Sequence, residues 1–332
     1  MPHCISPSGH VDGEWHTGPP LDPLIPCCSW DEGLKAGNSE TCNDFSPAHP
    51  NGGFRGTDYF YAQSGGHGCA CTTQQVHETL MWSPRRCVLP AFNASRVCQL
   101  LYNRTLVFVG DSTSDQAATA FINSIRAGYG APDLDVKSNA PVGCGSTIRF
   151  ELSDTLIGQK FGDYNRGRTW LEIAKSLNPE RDIMVISGGP HIHSTPNFQR
   201  VLAAVVSDHE LFFPKLHLLW RSQFPGGCGL KPLTEFPDDS FWAQYLSSGR
   251  EIFSYADHRV WDTLALPLFS NLSANRAFID ISPLYLRPDS HVGSMPGAAF
   301  PRDCLHLCLP GPLHPFFAQI LLHVLESLGL DD

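Results

Sequence analysis

Short apolar runs constrain the fold of this chain most strongly. They are LVFVG (106–110), DIMVIS (182–187), LHLLW (216–220) and AFIDI (277–281). None shows sustained alternation of polar and apolar residues, which is typical of strands buried on both faces of a parallel sheet. Segments with helical patterning lie between them, such as 114–128 and 198–211. The sequence therefore predicts a doubly wound α/β fold with helices on both faces of the sheet.

The N-terminal part has a different composition. Residues 1 to about 80 are rich in Gly, Pro, Cys, Ser and His and have few periodic segments, which favours loops and short strands. The 12 cysteines are scattered along the chain, which favours disulfides formed in an oxidising compartment over reduced thiols. We expect residues 1–100 to form a small cysteine-rich lobe that leads into the first core strand, and residues 101–332 to form the α/β catalytic core.

Charge and hydropathy exclude several classes of partner. The net charge is −10 and Lys and Arg form no dense cluster, which argues against nucleic acid and against an anionic membrane surface. The first ten residues, MPHCISPSGH, lack the basic and apolar regions of a signal peptide. No window reaches the about 20 apolar residues of a membrane helix. Three sequons, at Asn93, Asn103 and Asn271, would accept glycans in the secretory pathway.

Polar residues follow the predicted strands directly. Because the carboxyl ends of parallel strands form the ligand crevice of such sheets, these residues are expected on one rim. They are Gly110, Asp111 and Ser112 at the end of the first run, Ser187, Gly188, Gly189 and His191 at the end of the second, and Arg221 and Ser222 after the third.

Ser112 is a candidate nucleophile. A serine hydroxyl needs a neighbouring base, an acid that orients the base, and donors for the developing oxyanion. Asp303 and His306, three residues apart near the C-terminus, have the spacing at which a carboxylate can hold Nδ1–H while Nε2 faces the serine. The backbone N–H of Ser112 and the positive end of the following helix would face the oxyanion. The alternative for Gly-Asp-Ser taken alone is a polar turn that caps a helix.

Four ordered motifs carry a family resemblance: WSPRRCVLPAFNAS (82–95), LVFVGDS (106–112), RPDSHVG (287–293) and DCLHLCLPG (303–311). Together they resemble the PC-esterase members of the GDSL/SGNH group, which include the plant trichome-birefringence-like proteins. The resemblance implies a three-layer SGNH-hydrolase-like fold and O-acetyl transfer to, or removal from, a sugar hydroxyl in the Golgi lumen. It implies Ser112 as nucleophile, His306 as base and Asp303 as the orienting acid, with Asp111 shaping the loop.

The chain also departs from the plant pattern. After Gly-Asp-Ser it continues T-S-D-Q (113–116) where plant members usually have L-S-R-N, and Leu307 replaces a tryptophan. After the next strand it has S-G-G-P-H (187–191) where plant members often have N-T-G and then an aromatic residue or histidine. The asparagine would be a natural oxyanion donor, so we expect backbone N–H of Gly188 or Gly189 to substitute for it.

Other candidate residues have two interpretations each. His191 either binds substrate at the cleft or packs in the protein, and Arg221 either orients a sugar or acetyl donor or pairs with an acid. His291 matches the family segment and is expected near the cleft, grouped with the substrate-binding residues but in a supporting, non-catalytic role. Cys304, His306 and Cys308 have the ligand types for zinc, but their spacing is unlike usual zinc sites and favours disulfides that clamp the catalytic turn.

The sequence therefore predicts a serine-dependent O-acetyltransferase that acts on a glycan or cell-wall polysaccharide through an acetyl-serine intermediate. The alternatives are a carbohydrate O-acetylesterase with water as acceptor, and a non-catalytic carbohydrate-binding protein. No bound cofactor or metal is expected. The acetyl donor is a co-substrate, either acetyl-CoA or an acetyl group relayed by a membrane protein, since no Gly-rich nucleotide loop is recognisable.

Overall fold

The computed structural model describes residues 13–18, 80–85, 88–129, 145–162, 165–227, 232–247, 254–291, 304–307 and 313–330. Most of the predicted cysteine-rich lobe lies outside these ranges, so the domain boundary at residue 100 stays a prediction. Its described part includes a two-stranded antiparallel ribbon of β1 (Gly13–Thr17) and β2 (Leu80–Pro84).

A five-stranded parallel sheet forms the centre of the molecule, as the apolar runs predicted. Its strands are β3 (Thr105–Gly110), β4 (Thr147–Leu152), β5 (Ile183–Ile186), β6 (His217–Arg221) and β7 (Arg276–Ile279), in the spatial order β4-β3-β5-β6-β7. The interior strands are buried on both faces, which explains their lack of polar alternation. Strand β4 was not among the predicted runs. It lies at the sheet edge and is only partly buried, so its sequence TIRFEL keeps polar residues.

Helices cover both faces. They are α1 (Ala94–Leu100), α2 (Ser112–Tyr129), α3 (Trp170–Ala174), α4 (Thr195–Phe212), α5 (Asp239–Ser247), α6 (His258–Phe269) and α7 (Leu313–Ser327). Short 3₁₀ helices occupy Tyr255–Asp257, Leu272–Ala274, Ser282–Leu286 and Pro288–Ser290. Among the described residues, no helix has the length and hydropathy needed to cross a membrane.

Alternate residues of each strand enter opposite layers of the core. Leu106 and Phe108 pack in the layer that contains side chains of α1, α2 and α7. Val107 and Val109 pack in the layer that contains side chains of α3, α4 and α6. This three-layer arrangement is the predicted α/β architecture, and it places the carboxyl ends of β3, β5 and β6 side by side.

The described N-terminal ribbon packs on the core through aromatic side chains. The ring of Phe316 in α7 lies 5.4 Å from that of Trp15 and 6.4 Å from that of Trp82. The indole N–H of Trp15 donates to the carbonyl of Pro283 at 2.9 Å. These two tryptophans therefore fasten the ribbon to the body of the protein.

Candidate active site

Ser112 lies where β3 ends and α2 begins. Gly110 has a φ of 155°, and a Cβ at this position would collide with Ser114 Oγ and the carbonyl oxygen of Ser187. The close approach of β3 to the end of β5 therefore requires a residue without a side chain. As the first residue of the 18-residue helix α2, Ser112 lies at its positive end and is only partly buried.

The hydroxyl of Ser112 meets an imidazole from the far end of the chain. Ser112 Oγ lies 2.8 Å from His306 Nε2, although 194 positions separate the two residues in the sequence. When the neutral imidazole carries its proton on Nδ1, Nε2 accepts the hydroxyl proton, which is the arrangement of a nucleophile and its base. The predicted orienting acid, Asp303, lies outside the described residues.

The backbone of residues 304–307 is fixed by several contacts. The N–H of Gly227 donates to the carbonyl of Cys304 at 2.8 Å. Leu307 forms an isolated antiparallel bridge with His291. The side chain of Gln116 donates to the carbonyl of Leu307 at 2.8 Å and accepts from its N–H at 3.1 Å. These contacts hold the segment that carries His306 against three other parts of the chain.

His291 itself is fully buried, with 0% of its surface exposed. The sequence placed it near the cleft in a supporting role and grouped it with substrate-binding residues. Its burial and its bridge to Leu307 favour support of the His306 segment over direct contact with a substrate.

A buried polar network lies under the Gly-Asp-Ser turn. Asp111 is 1% exposed, and its Oδ1 accepts from the N–H of Thr113 at 2.8 Å and from the Thr113 hydroxyl at 2.7 Å. The Thr113 hydroxyl in turn accepts from Arg221 Nη2 at 2.7 Å. Asp111 therefore points into the protein and shapes the turn.

Arg221 was expected at the cleft, with substrate orientation and ion pairing as the two interpretations. The structure buries it to 1% exposure, with Nη1 donating to the carbonyl of Ser222 at 2.8 Å. Burial lowers the pKa of Arg221 to about 10, opposed by the charges of Asp111 and Asp262, so the guanidinium is still charged at neutral pH. A buried cation with these contacts supports the loop from below and is poorly placed to touch a sugar.

His191 lies on the same rim but is also largely buried, with 6% exposure. Its Nε2 lies 3.8 Å from Asp154 Oδ1, and the fully buried Asp154 accepts from Arg166 Nε at 2.9 Å. Burial lowers the pKa of His191, and the charges of Asp111 and Asp154 oppose this effect. The packed interpretation of His191 therefore fits the structure better than an open substrate contact.

Backbone N–H groups line the rim as candidate donors. Within the described ranges, the N–H groups of Ser112, Gly188 and Gly189 make no hydrogen bond, although all three follow strands at the sheet's carboxyl edge. The side chain of Gln223 covers Gly189 so closely that a Cβ there would collide with its Oε1. No cluster of three or more metal-binding side chains occurs in the part of the chain that the structure describes.

In the sequence, T-S-D-Q (113–116) stands out only as a departure from the plant pattern. The structure gives Thr113 and Gln116 specific contacts, one with Asp111 and Arg221, the other with Leu307. A signal for Gln116 was present, because a residue four positions after Ser112 on a helix lies on the same face. Asp154 had no such signal, since its contacts depend on the path of the loop after β4.

Two relatives found by sequence comparison are plant proteins named as O-acetyltransferases. No protein-family model matches the chain. The protein named "Probable xylan O-acetyltransferase 11" of Oryza sativa subsp. japonica is 32% identical over 90 residues, which is 27% of this chain and 20% of that protein. Xyloglucan O-acetyltransferase 1 of Arabidopsis thaliana is 22% identical over 299 residues, which is 74% of this chain and 70% of that protein. The chain thus matches about a fifth of the length of the first relative.

Solved structures overlap only loosely with this one. A protein described as a GDSL-like lipase from Parabacteroides merdae ATCC 43184 has a TM-score of 0.37 at 13% identity, over 73% of this chain and 100% of that chain. Est24, a carbohydrate acetylesterase from Sinorhizobium meliloti, has a TM-score of 0.33 at 13% identity, over 68% and 98% of the two chains. The fold assignment therefore rests on the parallel sheet itself. The two plant sequence relatives and the four ordered motifs together confirm the resemblance of this chain to the PC-esterase group that includes the trichome-birefringence-like proteins.

Proposed function

We propose that this protein is a serine-dependent O-acetyltransferase that acts on a glycan or cell-wall polysaccharide. The observation that carries the proposal is the 2.8 Å contact between Ser112 Oγ and His306 Nε2 at the carboxyl edge of the sheet. The names of the two plant relatives, which refer to xylan and xyloglucan, support a polysaccharide acceptor.

The reaction has two halves. His306 takes the proton of the Ser112 hydroxyl, the oxygen attacks the acetyl carbonyl of the donor, and the donor's leaving group departs with that proton. The acetyl group is then an ester on Ser112. In the second half His306 takes the proton of a sugar hydroxyl, the sugar oxygen attacks the ester, and the proton returns to Ser112.

Electrostatic support comes from the end of α2. The N–H of Ser112 and the helix dipole favour negative charge on the carbonyl oxygen, and the N–H of Gly188 or Gly189 is proposed as a second donor in place of the missing asparagine. Asp303 is proposed to hold the Nδ1–H of His306, as the sequence spacing indicated.

The cellular setting belongs to the same proposal. Cys98 and Cys304 each take part in a disulfide, which favours the secretory pathway, with the Golgi lumen as the expected site. The acetyl group would come from acetyl-CoA or be handed over by a membrane protein.

The test is transfer of labelled acetyl groups to xylan and xyloglucan oligosaccharides. Wild-type protein should label sugar, and Ser112→Ala should not. Ser124→Ala is the matched control, because this serine lies later in the same helix and its hydroxyl donates to the Ala120 carbonyl. Release of labelled acetate without labelled sugar would make the protein an esterase. Glycan binding with neither product would make it a non-catalytic binding protein.

A further inference from the structure

One side chain joins the helix that carries Ser112 to the segment that carries His306. Gln116 Nε2 donates to the carbonyl of Leu307 at 2.8 Å, and the Leu307 N–H donates to Gln116 Oε1 at 3.1 Å. Gln116 is 1% exposed and Leu307 is 0% exposed. The side-chain amide thus pairs with both backbone groups of one buried residue, as a neighbouring strand would.

We propose that Gln116 is a positioning residue that sets the distance between Ser112 Oγ and His306 Nε2. Residues four apart lie on the same face of a helix, so α2 directs Ser112 at His306 and Gln116 at the adjacent Leu307. The base is therefore placed by the same rigid helix that holds the nucleophile. This inference rests on the proposed function, in which Ser112 and His306 react.

The other described anchors of the segment do not have this property. Gly227 binds the carbonyl of Cys304, and His291 bridges Leu307, but neither residue belongs to α2. They fix the segment relative to the loops after β6 and β7. Gln116 fixes it relative to the nucleophile.

Loss of the amide would leave the N–H and the carbonyl of Leu307 buried without these partners. Buried backbone groups are nearly always paired, so the segment is expected to shift until they find other partners. His306 is bonded directly to Leu307 and would shift with it. A displacement of about 1 Å between reacting groups can cost on the order of 100-fold in rate.

The experiment measures the reactivity of Ser112 with a fluorophosphonate probe, which reports activation of the nucleophile without an acceptor glycan. Gln116→Met should slow labelling by on the order of 100-fold and lower kcat for acetyl transfer while KM for the glycan stays unchanged. Gln319→Met, at another buried glutamine in α7, is the matched control and should label at the wild-type rate. Circular dichroism confirms the folding of each variant. A folded Gln116→Met that labels at the wild-type rate overturns the inference.

A second variant adds a pH signature and serves if Gln116→Met does not fold. The protonated carboxyl of Gln116→Glu can donate to the Leu307 carbonyl and accept from its N–H, whereas the ionised form can only accept. The ratio of its labelling rate to that of wild type should therefore rise as pH falls. A ratio independent of pH would contradict the positioning role.

Ser112→Ala distinguishes a failure of the proposed function from a failure of the inference about Gln116. If Ser112→Ala is labelled as fast as wild type, the proposed function fails. If Ser112→Ala is not labelled while folded Gln116→Met reacts normally, only the inference about Gln116 fails.

Discussion

Replacement of Arg221 by methionine tests the role of the buried network under the Gly-Asp-Ser turn. Methionine keeps apolar contact with Phe224, whose ring centroid lies 4.6 Å from the guanidinium carbon, but it removes the charge and its donors. The Thr113 hydroxyl then loses the donor at 2.7 Å, and the Ser222 carbonyl loses the donor at 2.8 Å. Asp111 remains buried, with its own contacts to Thr113 but without the charge of Arg221 to oppose its own.

The expected cost follows from this geometry. Arg221 and Asp111 are both buried and are linked through the Thr113 hydroxyl. Removing one charge of a linked buried pair destabilises a protein by about 3–5 kcal/mol, because the other charge stays buried without compensation. We therefore expect Arg221→Met to lose about 3–5 kcal/mol of unfolding free energy. The exposed Arg200→Met is the matched control and should change it by less than about 0.5 kcal/mol.

Urea denaturation at neutral pH measures these differences. The double variant Arg221→Met with Asp111→Asn should recover part of the loss, since it removes both charges while the side-chain oxygen of the new asparagine can still accept from Thr113. An Arg221→Met variant within about 1 kcal/mol of wild type would refute the reasoning. A double variant whose loss of unfolding free energy equals the sum of the losses in the two single variants would also refute this reasoning.

Two further predictions concern Asp262, which accepts from the N–H of Gln223, and Gly110 in the Gly-Asp-Ser turn. Burial raises the pKa of Asp262 well above its ordinary value, while the Gln223 N–H and the charge of Arg221 oppose this. The folded state therefore holds a proton that the unfolded state releases, so stability contributed by Asp262 declines as pH rises from about 4. In urea denaturation between pH 4 and neutrality, the unfolding free energy of Asp262→Asn should fall less with rising pH than that of wild type. The same pH dependence in both proteins would contradict this prediction. Gly110→Ala should destabilise the fold by roughly 2 kcal/mol or more and reduce Ser112 labelling, because a Cβ there collides with neighbouring oxygens; wild-type stability and labelling would show that the turn tolerates a side chain.

The fold could be predicted from the sequence where burial controls the residue pattern. Interior strands such as β5, with its sequence IMVI, are covered on both faces and therefore appear as short apolar runs. Strand β4 escaped prediction because it is only partly buried and keeps polar residues, whereas β7, at the other edge of the sheet, is buried and apolar enough to be recognised. The strand-to-helix turn at Ser112 was also predictable, since Gly-Asp-Ser follows the end of β3.

The environment of the site was less predictable, because it depends on contacts between distant parts of the chain. The sequence places Arg221 at the end of a strand but does not say whether its side chain points into the protein or toward solvent. The structure turns it inward, toward Thr113. Likewise, no local pattern shows that the amide of Gln116 meets the backbone of Leu307, 191 positions later.

The central claim is that Ser112 carries the acetyl group during the reaction. Mass spectrometry of acid-quenched protein, after incubation with acetyl donor and no acceptor, tests it most directly. We expect an acetyl ester on the peptide that contains Ser112. This ester should disappear when an acceptor glycan is added, and it should not form in His306→Ala. Acetyl transfer to glycan by a Ser112→Ala protein would contradict this claim. So would an acetyl group found on a different residue that is lost when acceptor glycan is added.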